Sequence, residues 1–292
     1  MKRLLLLIIG IWLLSIAGSA QITALDGPEN GGSMALAPAR FELEMKPGTE
    51  TTVVINLDFR ASAGSTQPAR IVASLNDWNI TKDGRVEYFP ANTRPNSASP
   101  WLIYSPGEAA VTPGTVHQIR VTISVPPNAR PGDHLTALII EQRPENIKFD
   151  QNVRQMIVRY RMASVFYIKV GELTRHGNFD NLLAESTPDS IIITPTLKND
   201  GNSMIRPVSS VKIFDIDGKV VADVPEIEPL PILAGSESNQ ALVIAKTLPP
   251  GAYIVKYRID FQDGRKSTEG ITDLVVKTAP QIASSGKPTP KP

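Results

Sequence analysis

From His117 to Val125 the chain alternates without a slip. His117, Ile119, Val121, Ile123 and Val125 fall on one side of an extended backbone, and Gln118, Arg120, Thr122 and Ser124 on the other. A period of two sustained this long marks a strand with one buried and one wetted face. The same period recurs in Thr51, Val53, Ile55, Leu57 and Phe59, and again in Tyr253, Val255, Tyr257, Ile259 and Phe261. No helix-period segment of useful length separates these runs. The 25 prolines sit mostly between them, as turn and edge markers. Asp83-Gly84 and Asp217-Gly218 predict hairpins and Asp263-Gly264 a turn between apolar runs, with Asp83-Gly84 suited to the positive φ of a type I′ turn. The pattern predicts an all-β chain of two immunoglobulin-like β-sandwich domains in tandem.

Length agrees with two domains. A chain of 292 residues holds about two units of ~100–150 residues, each able to bury a core. Residues 1–20 read as a signal peptide. Lys2 and Arg3 precede an apolar stretch at 4–16, and Gly18-Ser19-Ala20 supplies small residues for cleavage. That stretch falls short of the ~20 residues that cross a bilayer, so no membrane span is expected in the mature chain. Residues 21–33 form a Gly- and Asn-containing lead, expected to be flexible. Residues 34–170 and 171–278 are the two expected domains. Residues 279–292 form a Pro- and Lys-containing tail with too few apolar groups to offset ordering entropy.

Charge and chemistry exclude more than they indicate. With 30 basic and 29 acidic residues there is no general attraction to nucleic acid. The absence of cysteine removes disulfides, thiolate nucleophiles and Cys-based metal sites. The three histidines, His117, His134 and His176, have no metal-ligand spacing. Asp215-Ile216-Asp217-Gly218 brushes a calcium loop, but Ile213 and Val224 stand where the first and last ligands belong. No catalytic motif, metal site or cofactor is expected, and the chain does not read as an enzyme.

The order of features in residues 38–170 resembles the pilus-assembly periplasmic chaperones of the PapD-like superfamily. The resemblance rests on Pro38 and Arg40 in an early strand, Asp77-Trp78, and Ser99-Pro100-Trp101-Leu102. It continues through Pro106, Pro113-Gly114, the strand from Gln118 to Val125, Pro131-Gly132, and a late strand ending in Phe166-Tyr167. It implies a two-domain exported protein that lends its late strand to an incomplete partner subunit. The partners implied are pilin-like exported subunits and an outer-membrane usher, and the place implied is the periplasm. Main-chain hydrogen bonds give such a pairing affinity, and alternating side chains give it pockets. The side chains implied are Met156, Val158, Tyr160 and Met162.

The family also holds its subunit's terminal carboxylate with two cations. Arg40 matches the first. Ser164 stands where the lysine belongs, and the nearest cations on that strand are Arg161 and Lys169. Both lie at an odd offset, which turns a strand side chain to the opposite face. Arg161 is the candidate second anchor. A structural or adhesive cell-surface protein built of immunoglobulin-like modules is the alternative, favoured by the missing lysine and the basic tail.

Overall fold

The computed structural model describes residues 23–25, 33–61, 66–143 and 159–277. The expected signal peptide and tail, and the side chains of Met156 and Val158, lie outside them.

Among the described residues, eleven strands build the first sandwich. In chain order they are β1 (Thr23–Leu25), β2 (Ser33–Ala37), β3 (Arg40–Met45), β4 (Glu50–Arg60), β5 (Ala69–Ile80) and β6 (Val86–Pro90). After a 3-10 turn at Ser99–Trp101 come β7 (Leu102–Ser105), β8 (Glu108–Val111), β9 (Val116–Ser124), β10 (Gly132–Arg143) and β11 (Arg161–Val170). One sheet runs β1-β2-β4-β9-β7 and the other β3-β11-β10-β5-β6, with β8 also on β5. Part of the 21–33 lead is thus a strand, β1, paired antiparallel with β2.

The alternation in the sequence becomes the core. Ile55 and Leu57 from β4 and Ile119, Val121 and Ile123 from β9 are almost fully buried. They meet Ile71, Leu138, Ile140, Phe166 and Ile168 from the facing sheet. Each such side chain removed from water is worth about 1.5–3 kcal/mol before ordering costs. The single early strand expected around Pro38 is two strands in different sheets. β2 pairs with β4, while β3 pairs in parallel with β11, from Arg40 opposite Val165 to Met45 opposite Val170. Pro38 has no N–H to continue the first ladder, and the chain crosses there.

Eight strands build the second sandwich: β12 (Gly177–Ser186), β13 (Ile191–Asn199), β14 (Val208–Phe214), β15 (Val220–Ile227), β16 (Glu237–Ser238), β17 (Leu242–Ile244), β18 (Gly251–Asp260) and β19 (Thr268–Val276). β12 and β13 with β16 and β17 form one sheet, and β15-β14-β18-β19 the other. Tyr253, Val255, Tyr257, Ile259 and Phe261 are buried, as their alternation predicts.

The hairpins stand where Asp-Gly predicts them, but the turn type differs. At the β5–β6 turn only Gly84 takes a positive φ, 87°. Gly84 N donates to Thr81 O at 2.9 Å and Thr81 N to Arg85 O at 2.8 Å. That is a three-residue loop, a type I turn closed by a left-handed glycine, rather than the two-residue type I′. Thr81 decides it, because its Oγ1 also accepts from Arg85 N and donates to Asp83 Oδ1.

The two sandwiches meet over a third buried cluster. Trp78, Ile80, Leu135, Ala137, Ile139 and Tyr167 lie on the outer face of the β3-to-β6 sheet and pack against Met204 and Leu233 of the second sandwich. The outer face of a sheet is ordinarily polar. Its apolar character here is the mark of a docked neighbour.

A cation cluster beside an open strand edge

The outer face of the β3–β11–β10 ladder sets out the site row by row. Arg40 lies opposite Val165, which lies opposite Ala137. One step along, Glu42, Tyr167 and Leu135 form the next row. Further on, Lys169 lies opposite Glu44 and Asp133. Where this face passes under the second sandwich it floors a cleft of about 920 Å³. Arg40, Trp78, Tyr88, Val165 and Tyr167 line one wall, and Arg206, Glu228, Pro229, Leu230 and Pro231 the other.

Three cations converge on Glu42. Lys169 Nζ lies 3.0 Å from its Oε2, Arg206 Nη2 2.7 Å from Oε1, and Arg40 Nε 3.4 Å from the same Oε1. Burial alone would raise the Glu42 carboxyl. Hydrogen bonds and charge from Lys169 and Arg206 outweigh burial and hold it below its ordinary value. Arg206 also reaches Glu228 at 3.8 Å and stands over the Tyr167 ring at 5.9 Å. Burial pushes the Tyr167 phenol up to about 12, so the ring stays neutral beneath the guanidinium.

Beside this cluster a strand edge lies open. Gln142 N donates to Tyr160 O, so the backbone groups of Tyr160 face β10. Backbone polar groups alternate sides along a strand. Those of Arg161, Ala163 and Val165 therefore point away from β10. Val165 N finds Ala39 O at 2.9 Å, because β3 begins there. Before that point no described strand pairs with this side of β11, and the Arg161 and Ala163 groups face outward. Ser164, standing at the expected lysine position, is fully buried and donates from Oγ to Pro38 O at 2.9 Å, fixing where β3 starts.

The expected site residues separate. Arg40 opens to the cleft with its side chain 51% exposed. Met162, expected to face a partner, is 7% exposed and packs in the chain's own core, where its parity with Phe166 and Ile168 takes it. Tyr160 is half-buried at the rim of the same core. Arg161 stands apart from the cluster, its charge acting on the Tyr88 phenol, which burial raises. Lys169, on the same odd parity, is the cation of β11 that reaches the cluster. Glu42 is marked in the sequence by its parity, since it shares the face of Arg40 two residues away. Arg206 carries no such mark, because nothing local ties it to a strand 164 residues earlier.

No family model matches the sequence, and no curated protein matches it. Among solved structures, the chain is similar to the class 5 fimbriae chaperone CfaA, at 14% identity and a TM-score of 0.41, covering 83% of this chain and 99% of that one. It is similar to a chain of the CsuC–CsuE chaperone–tip adhesion subunit complex of Acinetobacter baumannii at 15% identity and a TM-score of 0.38, covering 82% and 97%. It is also similar to a chain of the Salmonella enterica SafA pilin–SafB chaperone complex at 12% identity and a TM-score of 0.36, covering 83% and 96%. The chain is thus similar in structure, along about four-fifths of its length, to chains from fimbrial chaperone structures.

Proposed function

We propose that this chain is an exported, periplasmic chaperone that binds pilin-like subunits by adding an edge strand to them. The observation that carries the reading is the outward-facing backbone of Arg161 and Ala163, next to a cleft that holds Arg40. A partner strand running parallel to β11 meets the start of β3 at Val165. Its C-terminal carboxylate then arrives beside Arg40. Met156, Val158 and Tyr160 share one strand parity and are the side chains offered to the partner's groove. Met162 closes the chain's own core at the end of that row. An exposed apolar groove with unpaired edges aggregates unless it is covered, and a lent strand covers both. An outer-membrane usher is the further partner this reading requires.

Proline at position 163 tests it. The Ala163 N–H points away from β10, so Ala163→Pro removes only the outward donor, which edge strands tolerate. The chain purified from the periplasm of its own host should carry an exported β-rich subunit. That subunit should be lost on Ala163→Pro and on Val158→Asp while the unfolding temperature of the chain stays close to wild type. A wild-type chain that emerges alone while subunits are being exported removes the basis of the reading. Labelling on the surface of intact cells would then favour the adhesive alternative.

A further inference from the structure

We propose that Glu42 is an internal occupant of the cleft's carboxylate site, and that a partner's chain end binds by displacing it from Arg40 and Arg206. This rests on the reading of the cleft as the seat of a partner's terminal carboxylate. The geometry of the cluster carries it. Both arginines meet on a single oxygen, Oε1, while Lys169 holds the other oxygen. The two arginines therefore share one atom of one carboxylate, although each guanidinium carries five donors and favours a two-point grip. Arg40 is the loosest of the three, with a long contact and a half-exposed side chain. Among the described residues it makes no other ion pair.

The three cations also differ in how firmly they are placed. The Lys169 side chain is 10% exposed, on the ladder between β3 and β10, and its amine lies 3.0 Å from Oε2, the oxygen that neither arginine holds. Glu42 can therefore leave Oε1's partners without losing every counter-ion. That makes its departure far less costly than stripping a buried charge bare. An incoming carboxylate gains one cation from each sandwich, Arg40 from the first and Arg206 from the second. Tyr167 beneath Arg206 keeps that guanidinium over the cleft. The second cation of the site thus comes from across the interface, and not from the strand position where Ser164 stands.

Competition of this kind has a distinctive signature. A site filled internally shows an affinity reduced by the fraction of time it is open, so removing the internal occupant strengthens binding. The test uses the full chain and two soluble probes: a short alternating threonine–valine peptide with a free C-terminal carboxylate, and its C-terminal amide. Fluorescence anisotropy should show Glu42→Gln binding the free acid about tenfold more tightly than wild type, with the amide unchanged. Glu42→Asp, which keeps the charge and withdraws it from the arginines, should move the same way by less. It carries the test where Glu42→Gln proves unstable. Arg206→Gln should erase the preference for the free acid. If wild type prefers the free acid and Glu42→Gln and Glu42→Asp bind it no better, Glu42 is no competitor. The strand-addition reading then stands without this inference. If no variant binds either peptide, both fall.

Discussion

Asp77 shows what a single residue contributes to this frame. Its side chain is almost fully buried, yet its carboxylate accepts four hydrogen bonds. They come from Thr93 N at 2.8 Å, Arg94 N at 2.9 Å, Ser97 Oγ at 2.6 Å and Ser99 Oγ at 2.6 Å. Burial pushes its pKa up, but the serine hydroxyls and the two amides outweigh burial and hold it below 3.8. Its neighbour Trp78 donates to Thr136 O at 3.0 Å, and Ser99 Oγ meets Thr136 Oγ1. Asp77-Trp78 and Ser99-Pro100-Trp101 are separate landmarks in the sequence, and in the fold they are one hydrogen-bonded knot. Charged hydrogen bonds of this kind are worth about 1.5–3 kcal/mol each. Asp77→Ala should therefore cost at least about 3 kcal/mol by denaturant unfolding. A loss under about 1 kcal/mol would mean that the loop holds itself. A carboxyl held low stabilises the fold above its unfolded pKa, and that stability is lost as pH falls through the lowered value. Wild type should lose this contribution in acid, and Asp77→Ala should lack that acid-sensitive part. The landmarks were legible in the sequence. Their joint chemistry was not, because the partners lie 16 to 22 residues apart.

Strands were legible wherever one face is buried, because period two is then imposed by water. β9 and β18 follow their alternation residue by residue. Two kinds of element escaped that logic. Across β2 and β3 the inward residues change parity, from Met34 and Leu36 to Phe41, Leu43 and Met45, and the sheet partners show that this slip at Pro38 is a crossing between sheets. The outer face of β5, β10 and β11 is apolar because the second sandwich covers it, which a rule built on one wet face does not anticipate. β19 presents a further case, set by a missing side chain. Gly270 lies opposite Tyr257 on β18. Phe179 of β12 stacks on Tyr257 with ring centroids 5.8 Å apart. A Cβ at Gly270 would fall 2.3 Å from that phenylalanine ring. Gly270→Ala must displace a ring wedged between two sheets, at a cost of about 1–3 kcal/mol. Calorimetry should show the second sandwich melting earlier with the first unchanged. A joint shift of both would instead mean that the two unfold as one unit.

At the scale of the whole molecule, the two sandwiches are tied by polar contacts that flank the apolar cluster. Lys82 reaches Glu237 at 3.0 Å, and Asn239 N donates to Lys82 O at 2.7 Å. Arg206 and Glu42 span the cleft side. On the opposite side Asp133 N donates to Asn202 O at 2.9 Å, and Met204 N donates to Asp133 Oδ2 at 2.6 Å. Asp133 is the costly member. It is 6% exposed, and its carboxylate accepts from Met204 N with the buried Ser203 hydroxyl beside it. Burial raises its pKa, and the Met204 amide, Ser203, Lys169 and Arg175 offset that only in part. The sign is opposite to that of Asp77. A carboxyl with a raised folded-state pKa favours the folded interface when protonated, fully below its unfolded value near 3.8. That advantage is lost as pH rises through the raised value. Above that raised value the interface holds a charge it pairs poorly. Asp133→Asn removes the charge and keeps an acceptor for Met204 N, and its amide can donate to Ser203 Oγ. Removing a buried charge that its neighbours compensate only in part is worth about 1 kcal/mol. Asp133→Asn should thus raise the melting temperature at pH 7 and leave it unchanged below pH 4. Its stability should also lose the downward slope that wild type shows as pH rises between them. A variant less stable than wild type at pH 7 would show that the charge itself, through Lys169 and Arg175, holds the two sandwiches together.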